Sequence, residues 1–200
     1  MAETDKDTIA AYSEKADDFN ARFDDDTPDE QLTAFITGLP VGAHVLDLGC
    51  GPGRSARMMA EAGLTVAALD ATPAFVEMAR ERFGVDARLG TFDDVSGEAV
   101  YDGVFANFSL LHAPKTDLAG HLARIWTALK NDGLLHIGLK TGTGEKRDTL
   151  GRFYAYYTDA EITRVLGAAG FRVDNRWFGS DEGLDGTVAP WIVLHARKIS

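Results

Sequence analysis

The stretch Val45-Leu46-Asp47-Leu48-Gly49-Cys50-Gly51-Pro52-Gly53 constrains this chain more than any other. Its first four residues read as a short buried strand. Three alternating glycines then make a tight turn in which a ligand can approach the main chain. Residues 55–62 read as a helix. A strand that runs through a glycine turn into a helix presents free N–H groups and the positive end of a helix dipole at the turn. Such a unit belongs in a parallel α/β sheet.

The rest of the chain extends that unit. Residues 65–69 form a second strand closed by Asp70, and Thr72-Pro73 starts a helix to about residue 83. Strands are expected at 86–89, 101–108 and 134–139, with a helix at 117–129 between the last two. Thr158 and Glu161 have capping-box spacing and open a helix to about residue 169. Strands at 171–178 and 188–197 have no helix between them, only the polar, glycine-rich segment 179–186. They therefore read as an antiparallel hairpin at one edge of the sheet.

Residues 1–30 read as an N-terminal helical extension or lid on a single domain spanning 1–200. Tyr12, Ala16, Phe19 and Phe23 recur at spacings of three and four, as on one helix face. Asp24-Asp25-Asp26 and Thr27-Pro28 break that helix. Pro28, after Thr27 as N-cap, restarts one that carries Leu32, Phe35, Ile36 and Leu39 on one face.

Charge and cysteine content narrow the function. Thirty-one acidic residues against 20 basic ones leave a net charge of −11, which disfavours nucleic acid as a partner. The one cysteine, Cys50, allows no intrachain disulfide and fits a reducing, cytoplasmic compartment. Residues 1–7 hold three acids and no apolar run, unlike a secretory signal, and no stretch is apolar enough to span a membrane. No metal site is expected. His44, His112, His121, His136 and His195 lack ligand spacing, and Asp24-Asp25-Asp26 lacks the glycine and distal glutamate of a calcium loop. Cys50 reads as a packing residue, and Trp126, Trp177 and Trp191 as core.

The glycine loop and Asp70, 21 residues after Gly49, have the spacing of a nucleotide site in which the acid receives ribose hydroxyls. A nicotinamide fingerprint needs glycine or alanine where Arg54 stands, so an NAD-dependent oxidoreductase is an alternative opposed by spacing. No Gly-Lys-Ser/Thr tripeptide exists for a P-loop.

The nine residues 45–53 resemble motif I of the class I S-adenosylmethionine-dependent methyltransferases. Gly90-Thr91-Phe92-Asp93-Asp94 stands where that family has Gly-Asp-Ala-Glu-Asp, with Thr91 in place of the adenine-contacting aspartate. Tyr101-Asp102-Gly103-Val104-Phe105 through His112 resembles the fourth-strand motif, and Leu129-Lys130-Asn131-Asp132-Gly133 resembles the entry to strand five. The resemblance covers roughly residues 8–198. It implies a Rossmann-like seven-stranded sheet, mostly parallel, with an antiparallel C-terminal hairpin, helices on both faces and an N-terminal helical lid.

It also implies S-adenosylmethionine as cofactor, S-adenosylhomocysteine as product and a small-molecule acceptor. By that carry-over Gly49, Gly51 and Gly53 form the loop the methionine portion crosses. Asp47 holds the loop, or the methionine ammonium through a water. Asp70 takes the ribose hydroxyls, Ala71 and Phe92 sandwich adenine, and the Thr91 hydroxyl accepts from its amino group. Asn107 lies beside the amino-acid end, by side chain or main chain. Tyr12 resembles a lid tyrosine that closes over the methionine end, or is a core contact of the lid helix.

Methyl transfer from a sulfonium mainly needs alignment and exclusion of water. His112 is the candidate base, or else bonds the backbone of its own turn. Lys140, Lys146, Arg147 and Arg152 cluster after strand five in an otherwise acidic chain. Lys140, Arg147, Arg152 and Tyr154 are the candidate acceptor residues, with Arg147 or Arg152 gripping a carboxylate or phosphate. The same loop also reads as a solvated one with Arg–Asp pairs, for instance to Asp148. The change at Thr91 leaves a non-catalytic S-adenosylmethionine-binding protein as a further alternative.

Overall fold

A computed structural model describes residues 5–22 and 27–199. Phe23 and Asp24-Asp25-Asp26 lie outside the described residues. Three helices come first: α1 (Lys6–Glu14), α2 (Ala16–Arg22) and α3 (Glu30–Thr37). Then β1 (His44–Leu48) leads to α4 (Arg54–Glu61), β2 (Thr65–Asp70) to α5 (Pro73–Phe83), and β3 (Ala87–Leu89) to β4 (Tyr101–Ala106). α6 (Lys115–Ala128) runs straight into β5 (Leu129–Lys140). A small hairpin of β6 (Glu145–Arg147) and β7 (Phe153–Ala155) precedes α7 (Asp159–Ala168), and β8 (Phe171–Glu182) and β9 (Val188–Lys198) end the fold.

The main sheet has the order β3-β2-β1-β4-β5-β9-β8. Its first five strands are parallel, and β9 pairs antiparallel with both β5 and β8. Helices cover both faces, which is why β1 and β4 read as nearly continuous apolar runs. On one face Leu118, Leu122 and Ile125 of α6 and Ile162 and Leu166 of α7 pack on Leu46, Leu48 and Val104. On the other, Leu32 and Phe35 of α3 and Met58 and Met59 of α4 pack on Val45 and Phe105. This winding gathers the C-terminal ends of β1, β2, β4 and β5 at one edge. The reversed β9 brings Trp191 into register opposite Lys140 there.

Four local features differ from the sequence expectation. The first amphipathic stretch breaks at Lys15 into α1 and α2, which turns Phe19 back onto Tyr12 and Phe75 at ring distances of 5.7 and 5.1 Å. α3 begins after Asp29, not at Thr27-Pro28, because the Asp29 carboxylate accepts the Leu32 N–H at 2.7 Å. β5 begins at Leu129, through a pairing with Tyr101 that shifts register before Gly103. Residues 145–155, expected as loop, hold the β6–β7 hairpin. The Thr158 hydroxyl does cap α7, accepting the Glu161 N–H at 3.2 Å.

Candidate active site

A cavity of about 490 Å³ opens at the C-terminal edge of the sheet, between the loops after β1, β2, β4 and β5, helices α1 and α2, and the tip of the β8–β9 hairpin. That size suits a small-molecule site. Its floor is the glycine loop. Gly49 and Cys50 both donate to the Leu69 carbonyl, at 2.7 and 3.1 Å, which bends the chain off β1. Gly49 has φ +76°, and a Cβ there would lie 2.3 Å from the Ser109 Cβ. Ser109 is itself anchored, donating to the Leu48 carbonyl at 2.6 Å. Gly53 has φ +91° and lets α4 pack against Ala79 of α5. Gly51, at φ +54°, is different: a Cβ there would meet nothing nearer than Phe19 at 3.8 Å. Its open side faces the cavity.

Two buried carboxylates stand behind the loop. Asp70 closes β2 and accepts the Gly51 N–H and the Thr72 N–H, each at 2.8 Å. Those bonds oppose, without cancelling, the burial that raises its pKa. Asp47 of β1 is held by the Ala56 N–H, yet its Oδ2 is buried with no partner. Burial, then the charge of Asp70, pushes its pKa up to about 8. Ala71 and Phe92 line the cavity beside Asp70. Thr91 lines it too, but its hydroxyl donates to Asp94 Oδ2 at 3.1 Å and accepts the Asp93 N–H at 3.3 Å as the cap of a 3-10 turn. The Asp94 N–H closes the same capping box on the Thr91 hydroxyl, so the turn itself engages that oxygen.

The far wall is aromatic. Tyr12 from α1 donates to His112 Nε2 at 2.9 Å, and His112 Nδ1 donates to the Phe153 carbonyl at 2.6 Å. Both ring nitrogens are thus engaged. Burial, and the nearby charges of Arg152 and Lys140, push the His112 pKa down to about 4, against the opposing hydrogen bond to Phe153. Arg152 is buried beneath this pair. It lies over the Tyr12 and Tyr154 rings at 5.1 and 5.3 Å and is paired to Asp148 at 2.6 Å. Lys140 Nζ sits 4.1 Å above the Tyr154 ring. Among the described residues no carboxylate lies within ion-pair distance of it. Burial lowers its pKa, and the charges of Asp185 and Asp148 oppose that shift without cancelling it.

Comparison with known proteins now bears on this arrangement. The family described as a methyltransferase domain matches residues 45–133. A trans-aconitate 2-methyltransferase of Delftia acidovorans is 30% identical over 69% of this chain and 55% of its own length. A ubiquinone biosynthesis O-methyltransferase of Methylocella silvestris is 36% identical over 47% of this chain and 38% of its own. The chain thus spans about half or less of the length of these curated relatives. The crystal structure of Burkholderia thailandensis 1,6-didemethyltoxoflavin-N1-methyltransferase, with its substrate and S-adenosylhomocysteine bound, superposes with a TM-score of 0.76. It is 24% identical and covers 100% of this chain and 92% of that one. Residues 45–133 of this chain match the methyltransferase-domain family.

The residues of this site fit the family's cofactor. An unpartnered, buried carboxylate oxygen at Asp47 suits an ammonium, and the open face of Gly51 leaves room for a chain to cross the loop. Tyr12, Asp47, Gly49, Gly51, Asp70, Ala71, Thr91, Phe92, Asn107, His112, Lys140, Arg152 and Tyr154 all line one cavity. Gly53 stands just behind it, capping α4. Arg147 does not line it. It is turned outward onto Asp5 at 2.6 Å and Asp7 at 3.5 Å, tying the β6–β7 hairpin to the start of α1. Burial of Asp5 is outweighed by its bonds from Arg147 and Thr8, which hold its pKa at about 2.

Sequence reasoning missed three parts of the wall. Trp191, expected in the core, reaches the cavity mouth and donates to Asp181 at 2.6 Å. Phe108 faces Trp191 at 6.2 Å, and Asp93 lies at the edge near Arg124. The available signal for Trp191 was its place near the start of the last strand, since an antiparallel β9 must begin at the ligand edge.

Proposed function

We propose that this chain transfers the methyl group of S-adenosylmethionine to a small-molecule acceptor that carries a negative charge. The observation that carries the cofactor half is the orphaned Asp47 oxygen beside the open face of Gly51. When bound, the cofactor supplies an electrophilic methyl on a good leaving group. Asp47 receives the ammonium, Asp70 the ribose hydroxyls, and Ala71 and Phe92 the faces of the adenine. Tyr12, held by His112, covers the methionine end and keeps water out. The single buried cysteine fits a reducing, cytoplasmic setting; no helix among the described residues is long and apolar enough to cross a membrane.

The acceptor half rests on Lys140. Arg152 is already paired, and Arg147 faces away, so the anion contact expected of them falls to the half-buried ammonium above Tyr154. An acceptor whose attacking atom is itself the anion needs no base. His112, neutral and with both nitrogens engaged, then serves by holding Tyr12. Lys140→Met is expected to raise KM for anionic acceptors by tenfold or more, the loss of a charged hydrogen bond of about 1.5–3 kcal/mol. The affinity for S-adenosylhomocysteine stays unchanged. The check is release of S-adenosylhomocysteine across a panel of small carboxylates, phosphates and neutral analogues. Binding of the cofactor with no turnover of any compound contradicts the transferase reading, and preference for neutral acceptors contradicts the role of Lys140.

The Asp47 assignment makes a separate prediction. An ammonium needs the carboxylate ionised, but burial and the charge of Asp70 hold it protonated up to about pH 8. Binding therefore releases a proton below that pH. Affinity for S-adenosylhomocysteine is expected to rise about fivefold from pH 7 to pH 8, and Asp47→Asn to flatten the slope. For the unliganded fold the sign is opposite. A raised carboxylate pKa means that stability falls as pH climbs from the ordinary value of 3.8 toward 8. Calorimetry in buffers of different ionisation enthalpy counts the proton, and a zero count at pH 7 contradicts the assignment.

A further inference from the structure

Two histidines stand in the interior, and neither the cofactor site nor the acceptor site uses them. His136 of β5 is 1% exposed and His195 of β9 is 2% exposed. They are direct partners across the strand pair. His136 Nδ1 lies 3.0 Å from His195 Nε2, and His136 Nε2 lies 3.0 Å from Asn107 Oδ1. Phe105 stacks on the His136 ring at 4.0 Å, and Trp177 packs on His195 at 4.7 Å. Apolar side chains would fill this space without desolvating four ring nitrogens, so the polar chain calls for a purpose.

Its hydrogens have one arrangement. An amide oxygen only accepts, so His136 Nε2 carries a hydrogen. The other nitrogen of a neutral ring accepts, so His195 Nε2 carries one as well. Burial keeps both rings neutral, pushing the pKa of His195 down to about 4 and that of His136 well below its ordinary value. Donation therefore runs one way, from His195 through His136 to Asn107. The Asn107 oxygen is tied inward above Gly138, where a Cβ would lie 2.7 Å from it. Its N–H2 group is left on the cavity wall with no acceptor among the described residues.

We propose that His195 and His136 are positioning residues that lock the Asn107 carboxamide with its N–H2 group toward the cavity, as a donor to the carboxylate at the amino-acid end of the cofactor. The inference rests on the cofactor reading above. Asp47, paired in register with Phe105 two residues before Asn107, then receives the ammonium of the same amino acid. Each charge of that zwitterion has its own counterpart.

The test compares S-adenosylhomocysteine with 5′-methylthioadenosine, which shares the nucleoside but has no carboxylate. His136→Leu frees the Asn107 amide to turn. It is expected to weaken S-adenosylhomocysteine about tenfold and leave 5′-methylthioadenosine within about twofold. His136→Gln, whose amide can donate to Asn107 and accept from His195, restores most of the loss. Equal weakening of both ligands, or no weakening of either, overturns the proposal. A wild-type chain that binds no S-adenosylhomocysteine overturns the cofactor reading itself, a different result. Long-range proton–nitrogen spectra of the wild-type chain need no variant. Both rings are expected as neutral Nε2–H tautomers, and an Nδ1–H tautomer at His136 refutes the relay.

Discussion

Arg152→Ala will lower the stability of the fold by about 3–5 kcal/mol, the cost of leaving one partner of a buried ion pair alone. The Arg152 and Asp148 side chains are 2% and 6% exposed. Asp148 Oδ2 receives both Nε and Nη2 of Arg152, at 2.8 and 2.6 Å, while its Oδ1 receives the Leu150 and Arg152 N–H groups. Removing the guanidinium strands that carboxylate in a place water does not reach. It also removes the cation lying against Tyr12 and Tyr154, so the α1 helix loses part of its seat. Urea unfolding measures the effect. The double variant Arg152→Ala, Asp148→Ala should be more stable than Arg152→Ala alone, because no unpaired charge remains. A single-variant loss below about 1 kcal/mol would mean that the pair is solvated.

Gly49→Ala and Gly51→Ala are expected to fail in different ways. At position 49 the methyl group would stand 2.3 Å from the Ser109 Cβ on a backbone at φ +76°. Left-handed strain and overpacking together cost about 2–5 kcal/mol, and the loop must move off β4. At position 51 the backbone is also left-handed, but the Cβ meets only the Phe19 ring, at 3.8 Å, and otherwise faces the cavity. Strain of about 1–2 kcal/mol remains. The larger effect falls on the ligand, whose path over the loop the methyl group occupies. Thermal unfolding and S-adenosylhomocysteine titration of both variants separate the two. Equal stability losses with unaltered binding in Gly51→Ala would place the ligand elsewhere.

These contrasts explain what was legible in the sequence. Strand, glycine turn, helix and Asp70 are consecutive, and their spacing is a property of one βαβ unit. The Asp70–Gly51 bond spans only 19 residues. The parallel character of the sheet followed from the same alternation, and its antiparallel end from the missing helix between the last two strands. Contacts between distant parts of the chain left no such trace. Tyr12 meets His112 across 100 residues, and Arg147 meets Asp5 across 142. Arg147 and Arg152 stand five apart in one loop, yet one is turned out to the α1 helix and the other is buried under it. Composition cannot tell them apart, because the difference is made by which carboxylate each finds. Trp191 shows the same limit. A tryptophan in a strand reads as core until the strand's direction places it at the ligand edge.

The central claim is that the glycine loop, Asp47 and Asp70 form a site for S-adenosylmethionine. The most direct test is a calorimetric titration of the purified chain with S-adenosylhomocysteine, with NADH in parallel. The account predicts micromolar binding of one S-adenosylhomocysteine per chain, none of NADH, and a loss of about 1–3 kcal/mol in Asp70→Ala. Binding of NADH in place of S-adenosylhomocysteine, or of neither, would contradict it.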